Sequence, residues 1–347
     1  MSKNYFLDLK KTDGAFWINN PTRDEITKAI DQGAVCGTTN PAFCSRLATA
    51  ERDHLVRIID EALKIEADIE KAANIVYQEA ARCFMDMFMG IYEDSSGKYG
   101  YVTFQSDPRA DEDKDYIIAD IEANRKLSPN YMAKIPMITG GADAIEYCIE
   151  NNIPTCVTEV FAISQMIYCC ELYERVASRT GNSPPYFVTH ITGIFDEYLG
   201  KIAKRENIDI SPEVLSQAGL AIARKQYWMM KYRGYPGILL GGGARRKEHF
   251  TELMGGDAHV TINWSTAEEI MESPIELSNE ICKETPVEVI EELGAKLPDF
   301  KKAYDDDGLA FEEFAGFGPV QLFRNAFLKG WYLLLSEIAN IKNELAI

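Results

Sequence analysis

The chain has no Cys-x-x-Cys pair, no His-Glu-x-x-His motif and only four histidines, at 54, 190, 249 and 259. Metal ligands come at characteristic spacings, so no metal is expected. No uninterrupted apolar run approaches the roughly 20 residues of a membrane span. The N-terminal "MSKNYFLDLKK" lacks the apolar stretch of a signal peptide, which makes the cytoplasm the expected compartment, with no membrane partner. Positive charge is scarce too: 36 Lys and Arg face 54 Asp and Glu, a net charge of −18. Nonspecific binding to nucleic acid rests on cations neutralising phosphates, so no nucleic-acid partner is expected and any anionic ligand must be held locally. The eight cysteines (36, 44, 83, 148, 156, 169, 170, 282) are scattered, several in apolar runs such as "IYCCELY", and read as reduced small hydrophobes.

What is present is core-forming material: 46% hydrophobic residues over 347 positions, with no low-complexity linker. Eight β-like runs recur: "NYFLDL" (4–9), "AVCGTT" (34–39), "YGYVTFQ" (99–105), "YMAKIP" (131–136), "IPTCVT" (153–158), "YFVTHI" (186–191), "GILLGG" (237–242) and "HVTIN" (259–263). Helical spacing separates them, as in "RDEITKAIDQG" (23–33), which ends on a glycine stop, and in 160–178. Strands alternating with helices pair in parallel, and eight such units predict an α/β fold, a (β/α)8 TIM barrel; a doubly wound open sheet is the alternative. Longer helical stretches at 50–88 and about 194–233 are extra helices on this plan. A single domain over 1–347 is expected, with about 275–347 a C-terminal helical extension packed on the barrel. Its final segment, 327–347, is amphipathic and could cover the barrel mouth of its own chain or reach a second copy in a homo-oligomer.

Barrel active sites lie at the C-terminal strand ends. The polar residues predicted there are Asp8, Thr38, Thr39, Asn40, Gln105, Lys134, Thr158, His190 and the turn "GGGARR". Lys134 is the one to explain, because it is the lysine inside a strand run, flanked by Tyr131, Met132, Ala133, Ile135 and Met137. Burying an ammonium ion costs several kcal/mol unless it is paired or loses its proton. A neutral amine attacks carbonyls to form a Schiff base, and the iminium is an electron sink for breaking the neighbouring carbon–carbon bond. Asp8 is the candidate to move protons. A structural Lys134–Asp8 ion pair, or a lysine reaching to the rim, is the alternative. In "GGGARRKEHF" (241–250), glycines, a helix start and Arg245 suit an anion, although the same residues would serve a tight strand-to-helix turn. His190 is either a ligand contact or a satisfied rim histidine.

Taken together, these segments resemble the transaldolase family. The resemblance runs through "FLDL", "GAVCGTTNPAF" (33–43), "FQSDPR" (104–109), "KIPMITGGADAIE" (134–146), "IPTCVTEVFAISQ" (153–165), "GGGARRKEHFTELMGGDAHVTI" (241–262) and "DGLAFEEFAGFGP" (307–319). It implies a class I aldolase barrel with Lys134 as Schiff-base lysine, Asp8 as proton donor and acceptor, and Thr38 and Asn40 as contacts to a dihydroxyacetone unit. It further implies Gln105 and Thr158 as holders of a proton-relaying water, and Arg245 as a phosphate ligand. The implied reaction transfers dihydroxyacetone from a ketose phosphate to an aldose phosphate, a step of the pentose phosphate pathway in carbohydrate metabolism, without cofactor or metal.

The sequence departs from that pattern at several of these positions. Gln105 stands where long transaldolases carry Glu and Cys156 where they carry Asn, both toward the shorter fructose-6-phosphate aldolases, whereas Phe187 follows the transaldolases. His190 replaces a phosphate-binding arginine and Gly243 a serine, so the sugar tail is expected to differ, whether unphosphorylated or otherwise modified. Alternatives to transfer are cleavage that releases dihydroxyacetone and a noncatalytic sugar-binding barrel.

Overall fold

Eight short strands, β1 (Ala15–Asn19), β2 (Ala34–Thr38), β3 (Val102–Gln105), β4 (Tyr131–Pro136), β5 (Thr155–Thr158), β6 (Tyr186–His190), β7 (Ile238–Gly241) and β8 (His259–Ile262), pair in parallel. The sheet closes in sequence order, so the computed structural model, which describes residues 4–345, is a (β/α)8 barrel and not an open sheet. Side chains alternate across a strand. One face therefore points inward: Trp17, Cys36, Tyr101, Met132, Phe187 and Leu240 pack as an interior cluster. One pleat further along, Asn19 sits opposite Thr38, and Gln105, Lys134 and Cys156 lie side by side across β3, β4 and β5. The apolar plug below thus carries a polar layer above it.

Seven of the eight expected strands form, with shifted ends. The first does not. "NYFLDL" is a helix, Tyr5–Leu9, because the Asn4 side chain accepts hydrogen bonds from the amides of Phe6 and Leu7 and so caps its start. Tyr5, Phe6 and Leu9 are buried, with the Phe6 ring 4.6 Å from Phe16 and 5.4 Å from Phe250. The true first strand is "AFWIN", residues 15–19.

The last helix, Gly318–Leu345, buries Phe323, Phe327, Trp331, Leu334, Ile338 and Ile341 at spacings of three and four, and leaves Tyr332 and Leu333 exposed. It packs on the helices Phe43–Ala50 and Ile69–Asp94 and crosses the C-terminal mouth of the barrel. Arg324 pins it there through ion pairs to Asp111 (2.8 Å) and Glu112 (3.1 Å). Among the described residues, no helix is long and apolar enough to cross a membrane, and no group of His, Cys, Asp or Glu is placed to hold a metal ion.

Candidate active site

A cavity of about 410 Å³ opens at the C-terminal ends of the strands, roofed by Phe323, Ala326 and Phe327 of the last helix. A larger groove, about 860 Å³, runs over the helical exterior beside Trp228, Tyr232 and Val287. The smaller one is the candidate site, because Lys134 forms part of its wall.

Lys134 is 7% exposed. Its Nζ donates to the Thr39 carbonyl at 3.1 Å and lies 5.7 Å from the Phe327 ring centroid. Burial pushes the amine below the usual lysine range, partly offset by the nearby Cys156 and Glu159. Thr39 is itself fixed: its hydroxyl donates to the Thr103 carbonyl at 2.7 Å and meets the Tyr77 hydroxyl at 3.1 Å. The carbonyl that orients the amine is therefore held by the strand next door.

Around the amine the cavity wall is made of amides and hydroxyls. Thr38 Oγ1 donates to Asn19 Oδ1 at 2.9 Å and lies 2.7 Å from Thr261 Oγ1. Asn19 Nδ2 donates to Asn263 Oδ1 at 2.9 Å, and Asn20 Nδ2 to Asn40 Oδ1 at 3.0 Å. A wall that both donates and accepts at this density matches a polyhydroxylated ligand. Thr38 and Asn40, expected from sequence, are here; Asn19, Asn20, Thr189, Thr261 and Asn263 join them without having been expected.

The cavity's guanidinium groups are already engaged. Arg46 forks onto Glu25 at 2.5 and 2.8 Å, and Arg245 Nε faces Glu197 at 3.3 Å. The Arg245 amide donates to His249 Nδ1 (3.1 Å), so His249 Nε2 is the protonated nitrogen and donates to Asp196 Oδ2 at 2.9 Å. Gly243 lines the cavity with φ +62°, and a Cβ there would meet Ile191 Cγ2 at 2.3 Å, so glycine is required.

His190 does not reach the ligand space. It is fully buried on the outer face of β6, with Nδ1 at 3.0 Å from the Val160 carbonyl and its ring between Phe161 and Phe195. Burial lowers its pKa to about 4, so the ring is neutral at neutral pH. Thr189, one residue earlier, is the β6 side chain that faces the cavity. Phe187 lies a pleat deeper, edge-on to Trp17 at 4.7 Å, in the interior cluster beneath the cavity.

Asp8 is displaced furthest from its expected place. Because its segment is a helix, the carboxylate is 40% exposed and paired with Lys11 at 2.7 Å. It is not part of the cavity wall. The barrel position it was expected to fill, the C-terminal end of β1, is Asn19.

Sequence reasoning also missed Glu159. It follows β5, adopts φ +62° and is 3% exposed. A non-glycine residue in this left-handed conformation costs of order 1 kcal/mol and persists only where its surroundings enforce it. Burial, with help from Asp111, raises its carboxyl to about 8, against the opposing pull of Lys134, Arg324 and a hydrogen bond from Gln105. Nearby, Gln105 Oε1 and Thr158 Oγ1 are buried without a protein partner. The available signal was an acid inside the apolar run "CVTEVF", the same kind of signal that exposed Lys134.

Comparison with known proteins supplies the family. Residues 16–315 match the family model described as Transaldolase/Fructose-6-phosphate aldolase. Proteins named transaldolase from Thiobacillus denitrificans and Mycobacterium bovis are 28% and 27% identical over 256 and 229 residues. The matched regions cover 67% and 61% of this chain, and span 68% and 60% of those relatives' lengths. A transaldolase from Mycobacterium leprae is 28% identical over 61% of this chain and 60% of its own. Among solved structures, one from the methanol:cobalamin methyltransferase complex MtaBC of Methanosarcina barkeri is similar at 10% identity and TM-score 0.29, over 82% of this chain and 78% of that one, too slight a likeness to bear on function. With the family model spanning nearly all of the barrel, the chain belongs to the transaldolase/fructose-6-phosphate aldolase family.

Proposed function

We propose that the protein transfers a dihydroxyacetone unit from a ketose to an aldose through a Schiff base on Lys134. The observation that carries this reading is a buried lysine with a depressed pKa, held by one carbonyl, in the wall of a hydroxyl-matching cavity. The neutral amine attacks the ketose carbonyl carbon; a C–N bond forms, the carbonyl oxygen takes a proton, and the amine gives one up. Loss of that oxygen as water leaves an iminium. Deprotonation of the C4 hydroxyl then breaks the C3–C4 bond, its electron pair entering the iminium as an enamine while the aldehyde product departs. An incoming aldose reverses these steps. Such imine chemistry needs neither metal nor organic cofactor. Thr38, Asn19 and Asn40 hold the dihydroxyacetone hydroxyls, and Gln105 Oε1 with Thr158 Oγ1 hold the water that relays protons.

Incubation with fructose 6-phosphate and borohydride, followed by mass spectrometry, is expected to place the reduced adduct on Lys134. Absence of an adduct with every ketose tried would sink the reading and leave a sugar-binding barrel. Running the reaction with and without erythrose 4-phosphate separates transfer from cleavage: dihydroxyacetone released at full rate without acceptor would favour cleavage.

The tail of the sugar is the second element of the proposal. With Arg245 facing Glu197 and Arg46 occupied by Glu25, the cavity offers phosphate little uncompensated charge, and a substrate with a weakly charged or neutral end fits it better. Glu197→Gln is expected to lower KM for fructose 6-phosphate about threefold, a small effect because the pair is half exposed and screened. The KM for an unphosphorylated ketose should not move, and an equal change for both would remove this explanation.

A further inference from the structure

The proposed chemistry needs an acid at the moment the carbinolamine hydroxyl leaves, and a base when the C4 hydroxyl is opened. Asn19, at the end of β1, is an amide and does neither. Asp8 is exposed and remote. Of the carboxyl groups in the described residues, the one whose charge reaches the Lys134 amine is Glu159.

We propose that Glu159 is the proton-exchanging carboxyl of this site, acting on the ketose bound to Lys134 through Gln105 and Thr158. This inference rests on the Schiff-base reading. The placement is built by three strands: Gln105 pairs with Lys134 across β3 and β4, Thr158 with Pro136 across β4 and β5, and Glu159 is the next residue, turned by its left-handed backbone. Gln105 is close enough to the carboxyl to help lower its pKa. Gln105 Oε1, on the β3 neighbour of Lys134, and Thr158 Oγ1 are buried without a protein partner. The carboxyl is 3% exposed, and Arg324 of the last helix is close enough for its charge to act on it.

In the forward direction the protonated carboxyl delivers its proton to the departing hydroxyl, which leaves as water, and the iminium remains. The carboxylate so formed takes the proton of the C4 hydroxyl as the C3–C4 bond breaks, which restores the acid. Each turnover therefore leaves Glu159 as it began. The charged groups that act on it are Lys134 on β4, Asp111 after β3 and Arg324 on the last helix; Cys156 neighbours Lys134, and Glu112 pairs with Arg324. Burial keeps the carboxyl protonated up to a pH of about 8, so the acid form is the resting one near neutrality. As pH rises through that value the acid is lost, which places a falling limb on the alkaline side of kcat/KM.

Glu159→Gln keeps shape and hydrogen bonding but carries no exchangeable proton. It is expected to lower kcat by about 10²-fold or more, the usual contribution of general acid–base catalysis, with KM little changed, and to abolish the alkaline limb. The borohydride adduct on Lys134 should still form in this variant, more slowly. In Glu159→Ala, added formate should restore part of the rate, which a merely structural loss would not allow. Wild-type kcat and an unaltered pH profile in Glu159→Gln, while the wild type still traps ketose on Lys134, would overturn the inference alone. No adduct in the wild type overturns the Schiff-base reading and this inference with it. Should neither variant fold, the carboxyl ¹³C shift of Glu159 in the wild type decides: a group ionised throughout the neutral range overturns the proposal, and one that titrates above it supports it.

Discussion

Lys134→Met is expected to reduce turnover by at least ~10⁴-fold and to eliminate the borohydride adduct, while raising thermal stability. The first two outcomes follow from removing the proposed nucleophile, for which the described cavity has no other amine. The third separates chemistry from folding. The amine sits in a buried site with one hydrogen bond, to the Thr39 carbonyl, and its pKa is lowered mainly by desolvation. That is a site where the charged form is unwelcome, and an apolar side chain of similar length removes the desolvation cost. A gain of about 1 kcal/mol, read as a higher urea midpoint, is expected, its size set against the lost hydrogen bond. Because the folded pKa lies below the unfolded one, the penalty on the wild type is full below the folded pKa, falls as pH rises between the two values and is gone above the unfolded one. The stability gain in Lys134→Met should therefore be largest at low pH and shrink as pH rises toward the unfolded lysine pKa. Retained turnover would remove the enzymatic account, and a large loss of stability would mean that the lysine is a structural tie instead.

How much of this was legible in the sequence depended on the physics of each segment. The runs that became β2 to β8 are apolar stretches bounded by turn residues and separated by helical spacing, and local pattern and global closure agree there. "NYFLDL" offered similar hydrophobicity, but Asn4 tips it to a helix through capping bonds that a strand reading ignores. A contrary signal was present. Loops within a βα unit are short, and a strand ending at residue 9 would leave residues 10–22 without structure before the next helix at Arg23. "AFWIN", bounded by Gly14 and by Asn20 and Pro21, fills that gap. The error carried Asp8 into the site and hid Asn19. Lys134, Gly243 and Arg245 stand out as charge or glycine near apolar runs, and Thr38 and Asn40 as polar residues at a strand end; all five line the cavity. For His190 the ligand-contact reading fails by a single residue of alternation, which sends the side chain to the other face of the sheet. Glu159 was out of reach of period-two reasoning, since its positive φ breaks the pattern that would assign it a face.

Trp331→Ala is expected to cost about 3–5 kcal/mol of stability, the usual range for emptying a buried aromatic site, and to lower Tm by about 5–10 °C. Trp331 is fully buried on the last helix, edge-on to Tyr77 at 6.1 Å and 5.8 Å from the Arg109 guanidinium. The consequence for the site follows from what Tyr77 does next. Its ring stacks on Phe104 at 4.2 Å, its hydroxyl meets Thr39 Oγ1 at 3.1 Å, and the Thr39 carbonyl receives the Lys134 amine. Loosening the tryptophan therefore disturbs the carbonyl that orients the Lys134 amine, and it loosens the helix whose Phe327 covers that amine. Adduct formation in Trp331→Ala should slow by about tenfold or more under conditions where the protein is still folded. Trp331→Phe supplies the contrast: it keeps most of the ring and removes an indole N–H that is buried without a partner, so its cost should be about 1–2 kcal/mol with adduct formation preserved. Tyr332→Ala, on the exposed face of the same helix, should leave both stability and adduct formation at wild-type values. If all three variants trapped ketose at the wild-type rate, the helix would be a brace for the fold with no part in holding the amine, and water exclusion at the mouth would have to rest on Phe323 and Phe327 alone.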